Sequence, residues 1–341
     1  VLTLKLVEDN KSPRGRPSRQ TVYQRLEAAI FELREELGGL PRPTEAEDIW
    51  TSIWYQEAHN STALEGNTLV LQQVEALLAE GRAVGDKDLK EYMEVRGYAD
   101  AARWVYNQAL DSGDWSTGDP LTLTELRHIH ELVIGPAWGV APHRDATPAE
   151  HPGSFREHDI EPFPEGMTPP SWVEVPAAIG EWQRSLSVIS AGEHVVEGIA
   201  TTHGAFERIH PFLGGNGRTG RLILNMLLVR FGYPPAIIYK RDRTRYLKAL
   251  RRSDAGDPGP LGEMIARAVL DNLYRFVVPA VAGPVRLVPL VALATKEQNV
   301  FTLRAAIKRG RLKAQKAPDG QWRSSRAWLD EYVRSRYQRK R

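Results

Sequence analysis

No cysteine occurs in the 341 residues, so neither disulfides nor thiolate zinc sites hold this fold together. Long apolar runs are missing too. Val277 to Val281 and Leu287 to Leu293 are broken by proline or charge well short of the ~20 residues that a bilayer span needs. Residues 1–20 carry Lys5, Glu8, Asp9, Lys11, Arg14, Arg16 and Arg19 without an apolar stretch, so no signal peptide is legible. These absences point to a cytoplasmic, bacterial setting with no membrane partner. Net charge is small, +2, yet it hides an asymmetry: residues 301–341 hold thirteen Lys/Arg against three Asp/Glu, whereas residues 1–300 hold 32 against 40. Two bodies with different partners are expected.

What is present is a globular composition, 42% hydrophobic and 26% charged. A polar Pro/Gly-rich stretch, Asn10 to Arg19, reads as part of a mobile arm over residues 1–20. From Thr21 to Leu37 the apolar residues Val22, Leu26, Ala29, Ile30, Leu33 and Leu37 recur at helical spacing until Gly38 and Gly39 stop them. Asp48 to Leu64 is a second helix, ending at Glu65 and Gly66. Further helices are predicted at about 68–80, 86–110, 122–134, 172–189, 194–209, 218–231, 243–252 and 260–276. The fold class is therefore all-α. Pro142 to Pro170 is irregular, with Ser154 to Ile160 as its only candidate for extended chain, and a segment of that kind within a helical domain usually serves a function.

The chemistry concentrates after Val195 to Ile209, a buried helix that runs into His210 and Pro211. Proline disfavours helical geometry in the residue before it, so the imidazole is expected at the helix rim. Gly214, Gly215, Asn216 and Gly217 then lead into a helix starting near Arg218. A glycine-rich turn at a helix N-terminus gathers free N–H groups and the positive dipole end, which suits a phosphate chain. Arg218 and Arg221 share one face of that first turn. Phe212, apolar within a polar loop, reads as the pin holding the loop to the core. The Walker pattern is excluded, because its Gly-x4-Gly-Lys-Ser/Thr spacing is absent.

Residues 210 to 221 resemble the Fic motif, His-Pro-Phe-x-Asp/Glu-Gly-Asn-Gly-Arg-x-x-Arg, at every fixed position except one, and the likeness extends over roughly residues 45 to 280. Pro152 to Arg156 with Pro169 and Pro170 resembles the family's target-docking flap, a small β-hairpin, here with Phe155, Arg156 and Ile160. The resemblance implies a protein adenylyltransferase: His210 as general base towards a Ser, Thr or Tyr hydroxyl, and Gly215, Asn216, Gly217, Arg218 and Arg221 as the ATP phosphate grip. The exception is Gly214, where the family carries the acid that binds magnesium. The resemblance implies ATP with Mg2+ or Mn2+ weakly held, and three readings stand: a weakened metal site, a different nucleotide donor, or an inactivated or engineered copy.

Ser61, Glu65, Gly66 and Asn67 match the pattern of the inhibitory helix in self-inhibited Fic proteins, here about 48–66 within an N-terminal helical region of residues 21–110. Ser61 and Glu65 share a helical face, so Glu65 can reach Arg221. A Fic core over residues 111–278 and a linker over 279–286 follow. Residues 287–341 read as helix, turn, helix, a hairpin wing around Asp319 and Gly320, and a last helix capped by Ser324, which resembles a winged helix-turn-helix module. Arg304, Lys308, Arg309, Arg311 and Lys313 are its DNA-binding candidates. The expected partner is a target protein, with DNA and a second copy of the chain as further candidates. The alternative function is a nucleotide-sensing or DNA-binding regulator whose transferase chemistry Gly214 has weakened, altered or removed.

Overall fold

The computed structural model describes residues 17–110, 119–161, 167–191, 194–295, 297–317 and 320–338. Most of the expected arm lies outside them. α1 (Arg19–Leu37) starts earlier than the residue pattern suggests, because Ser18 caps it through a 3.2 Å bond from the Thr21 N–H, and Gly38 closes it at φ 81°. α2 (Glu47–Leu64), α3 (Leu71–Glu80), α4 (Leu89–Leu110) and α5 (Leu123–Val140) follow. α5 outruns its predicted end at 134 by passing through Pro136. The proline removes a single helical bond, and burial of Ala137 beyond it keeps the helix going. The helix expected at 172–189 is split into a 3-10 turn (Trp172–Glu174), α6 (Val175–Ser185) and a second 3-10 turn (Leu186–Ala191).

α7 (Val195–Ile209) and α8 (Asn216–Arg230) form the centre, with α9 (Arg243–Asp254) and α10 (Gly259–Asn272) beside them. α8 packs against α4, α5 and α7. All of its residues except Gly217 are buried, including Arg218, Arg221, Asn225 and Arg230. A helix enclosed on all sides that still carries three arginines must supply each with a partner, since an uncompensated charge in the interior is costly. A π-helical turn (Leu273–Val277) then joins α10 to α11 (Val278–Val281), so the expected linker begins inside a helix.

The C-terminal body consists of β1 (Val288–Pro289), α12 (Leu290–Leu293), α13 (Val300–Lys308), β2 (Gln315–Lys316), β3 (Trp322–Ser324) and α14 (Arg326–Gln338). The antiparallel sheet has the order β1-β3-β2, with Val288 opposite Ser324 and Gln315 opposite Arg323. The β2–β3 hairpin stands where the wing is expected, while the first helix of the pair is a single turn. Ser324 is not the cap of α14: its hydroxyl donates to the Lys313 carbonyl, and the Ser325 hydroxyl accepts the Trp328 N–H instead. Arg323 forks onto Glu32 of α1 at 2.8 and 3.0 Å, which ties this body to the helical one. No described helix is long and apolar enough to cross a membrane.

Candidate active site

α7 ends where the sequence puts its end, at Ile209, and His210 turns the chain. Its φ of 51° is the only positive value at a non-glycine among the described residues. Left-handed backbone costs an L-residue roughly 1–2 kcal/mol, so the surroundings must fix it. Arg156 does so. Its guanidinium is fully buried and donates to the carbonyls of His210 (3.0 Å), His158 (3.0 Å) and Pro170 (2.6 Å), while its N–H donates to the Pro211 carbonyl at 2.9 Å. Arg156, expected on the flap, thus lies beneath the loop and joins flap to base. The flap itself has no strand among the described residues. Asp159 holds its two arms together by accepting the Trp172 N–H at 2.7 Å and the Ser171 hydroxyl at 3.1 Å, in place of a β ladder. Phe155 and Ile160 are half-buried there, and Phe155 leans on Phe212 with ring centroids 5.5 Å apart.

The imidazole of His210 donates from Nδ1 to the Glu207 carbonyl at 3.2 Å. Its neutral form therefore carries the lone pair on Nε2. Burial pushes its pKa down to about 4, so the ring is neutral at pH 7.

Phe212 is fully buried and stacks on His130, with centroids 3.7 Å apart and planes 2° from parallel. His130 accepts the Gly153 N–H at Nδ1 and donates from Nε2 to the Gly214 carbonyl, each at 2.9 Å. Burial lowers its pKa to about 4, which keeps it in this neutral bridging form. Asn216 closes the turn: its Oδ1 accepts the Phe212 N–H and its Nδ2 donates to the Phe212 carbonyl. Gly215 precedes α8 at φ 77°, which favours glycine, and a Cβ there would also come within 2.3 Å of Ile134 Cδ1 and force that side chain to move. With no side chain to cap the helix, the first-turn N–H groups of α8 face the loop.

Arg221 is 5% exposed and donates to the Ser61 hydroxyl (2.7 Å), the Ser61 carbonyl (2.9 Å) and Glu65 Oε1 (2.8 Å). Glu65 enters from the end of α2 to lie over Gly217, where a Cβ would come within 2.4 Å of Oε1. Loss of solvent pushes its carboxyl pKa up, but Arg221, Arg218 and His210 outweigh this and hold it below the usual range. Gly66 lets the chain leave the helix at φ 106°. Asn67 does not reach the loop. It donates to the Glu91 carbonyl and to Glu94 Oε2, fastening the end of α2 to α4.

Arg218 is the contrast. It is 9% exposed, meets Glu94 at 3.5 Å, and leaves Nε and Nη1 without a hydrogen-bond partner. Burial lowers its pKa, which marks a cation held short of compensation. Glu94 went unnoticed in the sequence because it lies on α4, far from the motif. The polar layer behind Arg221 is not legible either, because buried polar residues on a helix look like any others until the helices are packed. Glu57 is bonded to Tyr106 and Asn225 and pushed to about 8 by burial, Glu207 is pushed to about 7, and His203 bonds Tyr246 at 2.7 Å.

The residues at the expected magnesium position do not fit a protein-held metal. Gly214 has no ligand to give, and no group of three or more His, Cys, Asp or Glu suited to a metal occurs among the described residues. Of the DNA-binding candidates, Arg304, Lys308, Arg309 and Arg311 are exposed, and Lys313 is paired with Glu331 at 2.9 Å. Arg311 and Lys313 also line a groove of about 470 Å³ with Trp328, Tyr332 and Arg336.

This loop and helix N-terminus lie within a known domain: residues 120–228 match the Fic/DOC family model, and the chain carries a Fic/DOC domain. It is similar to the protein adenylyltransferase fic-1 of Caenorhabditis elegans, 27% identical over 264 residues that cover 77% of this chain and 49% of that one. It is 31% identical over 239 residues to the protein adenylyltransferase Fic of Drosophila yakuba, covering 70% of this chain and 43% of the relative. The chain thus spans about half the length of the curated relatives it matches. A Fic domain containing signaling protein from Bacteroides thetaiotaomicron shares the fold, with a TM-score of 0.60 and 24% identity over 74% of this chain and 94% of that one.

Proposed function

We propose that this protein is an adenylyltransferase that moves AMP from ATP to a hydroxyl of a protein. The observation that carries the reading is His210: a neutral imidazole, oriented through Nδ1 and locked from behind by Arg156, beside the open amides of α8 and the under-compensated Arg218. His210 Nε2 takes the hydroxyl proton as the oxygen bonds to the α-phosphorus, and the bond to the β-phosphate oxygen breaks to release pyrophosphate. The loop amides and Arg218 hold the phosphates and offset the charge that gathers on them. Names of relatives at 27–31% identity agree with this chemistry.

Autoinhibition is part of the proposal. Glu65 places a carboxylate over Gly217 and on Arg221, where a phosphate and its arginine would meet. Glu65→Gly removes both obstacles. The expected result is at least about tenfold tighter ATP binding and faster AMP transfer, on the scale of one charge-assisted contact. Equal ATP binding and labelling in both proteins would remove the brake from this account.

A second activity is proposed for the C-terminal body, namely DNA binding, because Arg304, Lys308, Arg309 and Arg311 stand exposed on and after α13, with no carboxylate partner among the described residues. Duplex DNA should shift in a gel with the full chain, and Arg304→Glu with Lys308→Glu should weaken the shift about tenfold and flatten its salt dependence. A shift unchanged by the substitutions, or none at any salt, removes the reading. Should DNA bind while AMP transfer is absent even in Glu65→Gly, the regulator reading takes the place of the enzyme.

A further inference from the structure

Gly214 differs from its neighbours in the loop. Its φ lies outside the left-handed region, and a Cβ built there would meet one atom only, Cδ2 of His143, 4.0 Å away. Neither backbone nor packing calls for glycine. What borders the position is the edge of an imidazole from the segment after α5. Gly214's own carbonyl is already taken by His130.

The tautomer of His143 follows from its neighbours. A backbone N–H can only donate, and that of Asp145 donates to Nδ1 at 3.3 Å. The neutral ring therefore carries its proton on Nε2, the nitrogen bonded to Cδ2, on the edge nearest Gly214. That edge offers a donor, which suits a phosphate oxygen and gives a metal ion no lone pair.

We propose that His143 is a phosphate-binding residue of this site. Its Nε2–H donates to a phosphate oxygen of ATP lying on the amides of residues 215–217, in the space a side chain at position 214 would fill. The chain then grips ATP without a protein ligand to a metal. The inference rests on the adenylyltransferase reading and supplies what that reading lacks at Gly214.

The test is ATP binding by calorimetry with EDTA present, in the Glu65→Gly chain. His143→Ala is expected to weaken ATP about tenfold and to leave adenosine binding unchanged, the scale of a hydrogen bond to a charged group. His143→Gln, which keeps an N–H donor, should recover most of the loss. The side chain of His143 is 40% exposed and its recorded contacts lie within its own turn, so neither change disturbs the core. Adding Gly214→Asp to Glu65→Gly should weaken metal-free ATP and make its binding depend on Mg2+. Equal ATP affinity in His143→Ala and its parent overturns the inference alone, whereas failure of the Glu65→Gly chain to bind ATP overturns it together with the proposed function.

Discussion

Two regions of this chain are built on arginine, and they treat it in opposite ways. In α8 the guanidinium groups of Arg218 and Arg221 are buried, and their partners differ: Arg221 is saturated by Ser61 and Glu65, Arg218 is left short. In the C-terminal body Arg304, Lys308, Arg309 and Arg311 stand in solvent. A buried cation is specific because its partners are few and fixed. An exposed one is general, since water and salt compete with any partner.

The sharpest way to break this contrast is at His210, which Arg156 and the Glu207 carbonyl hold beside α8. His210→Ala in the Glu65→Gly chain should cut AMP transfer by about 10²–10⁴-fold while ATP still binds. With His210 in place, the acid limb of kcat/KM should fall near pH 4 rather than near the ordinary histidine range, because burial keeps the ring neutral down to about 4. Loss of ATP binding together with activity would show the ring to be a structural prop.

A smaller effect is expected behind Arg221. Glu57 has a folded-state pKa raised from 4.5 to about 8 by burial, so it stays protonated while the unfolded chain ionises. Its contribution to stability is complete below the unfolded value and is lost as pH rises towards 8. Denaturant titrations should show stability falling over that window by on the order of 1 kcal/mol or more, and Glu57→Gln should flatten the fall. A flat wild-type profile would mean that the polar layer carries its charge after all. The smallest effect belongs to the surface: Arg323→Ala, which removes the fork to Glu32, should cost about 1 kcal/mol or less and leave ATP binding untouched. A larger loss would show that the two bodies hold each other in place.

The motif and its neighbours were readable because they are contiguous. His210 at a helix end, Phe212 as the pin and Gly215 as the turn follow from local rules, and Glu65 with Arg221 follows from a pattern and one helical turn. His130, Glu94 and Glu57 are not readable, since each acts across helices distant in sequence, and Glu207, though close to the motif, is placed only by the packing of α7 on α8. His130 sits among Leu126, Ile129 and Val133 on the buried face of α5, where nothing local separates a ligand-loop anchor from core filler. Arg156 was found but misjudged, because proline spacing says where a flap is and not which of its side chains turns inward. Helix edges differ where one side-chain bond decides them, as at Ser18 and Ser325, or where burial outweighs a lost bond, as at Pro136.

Arg156 has one more lesson. A single guanidinium grasps the backbone at His210 and at Pro170, so the flap and the left-handed turn hang from one hinge pin. In the proposed transfer, a protein leaning on the flap would pull through this one side chain on the strained residue assigned to receive its proton. Arrival and readiness would then be mechanically the same event.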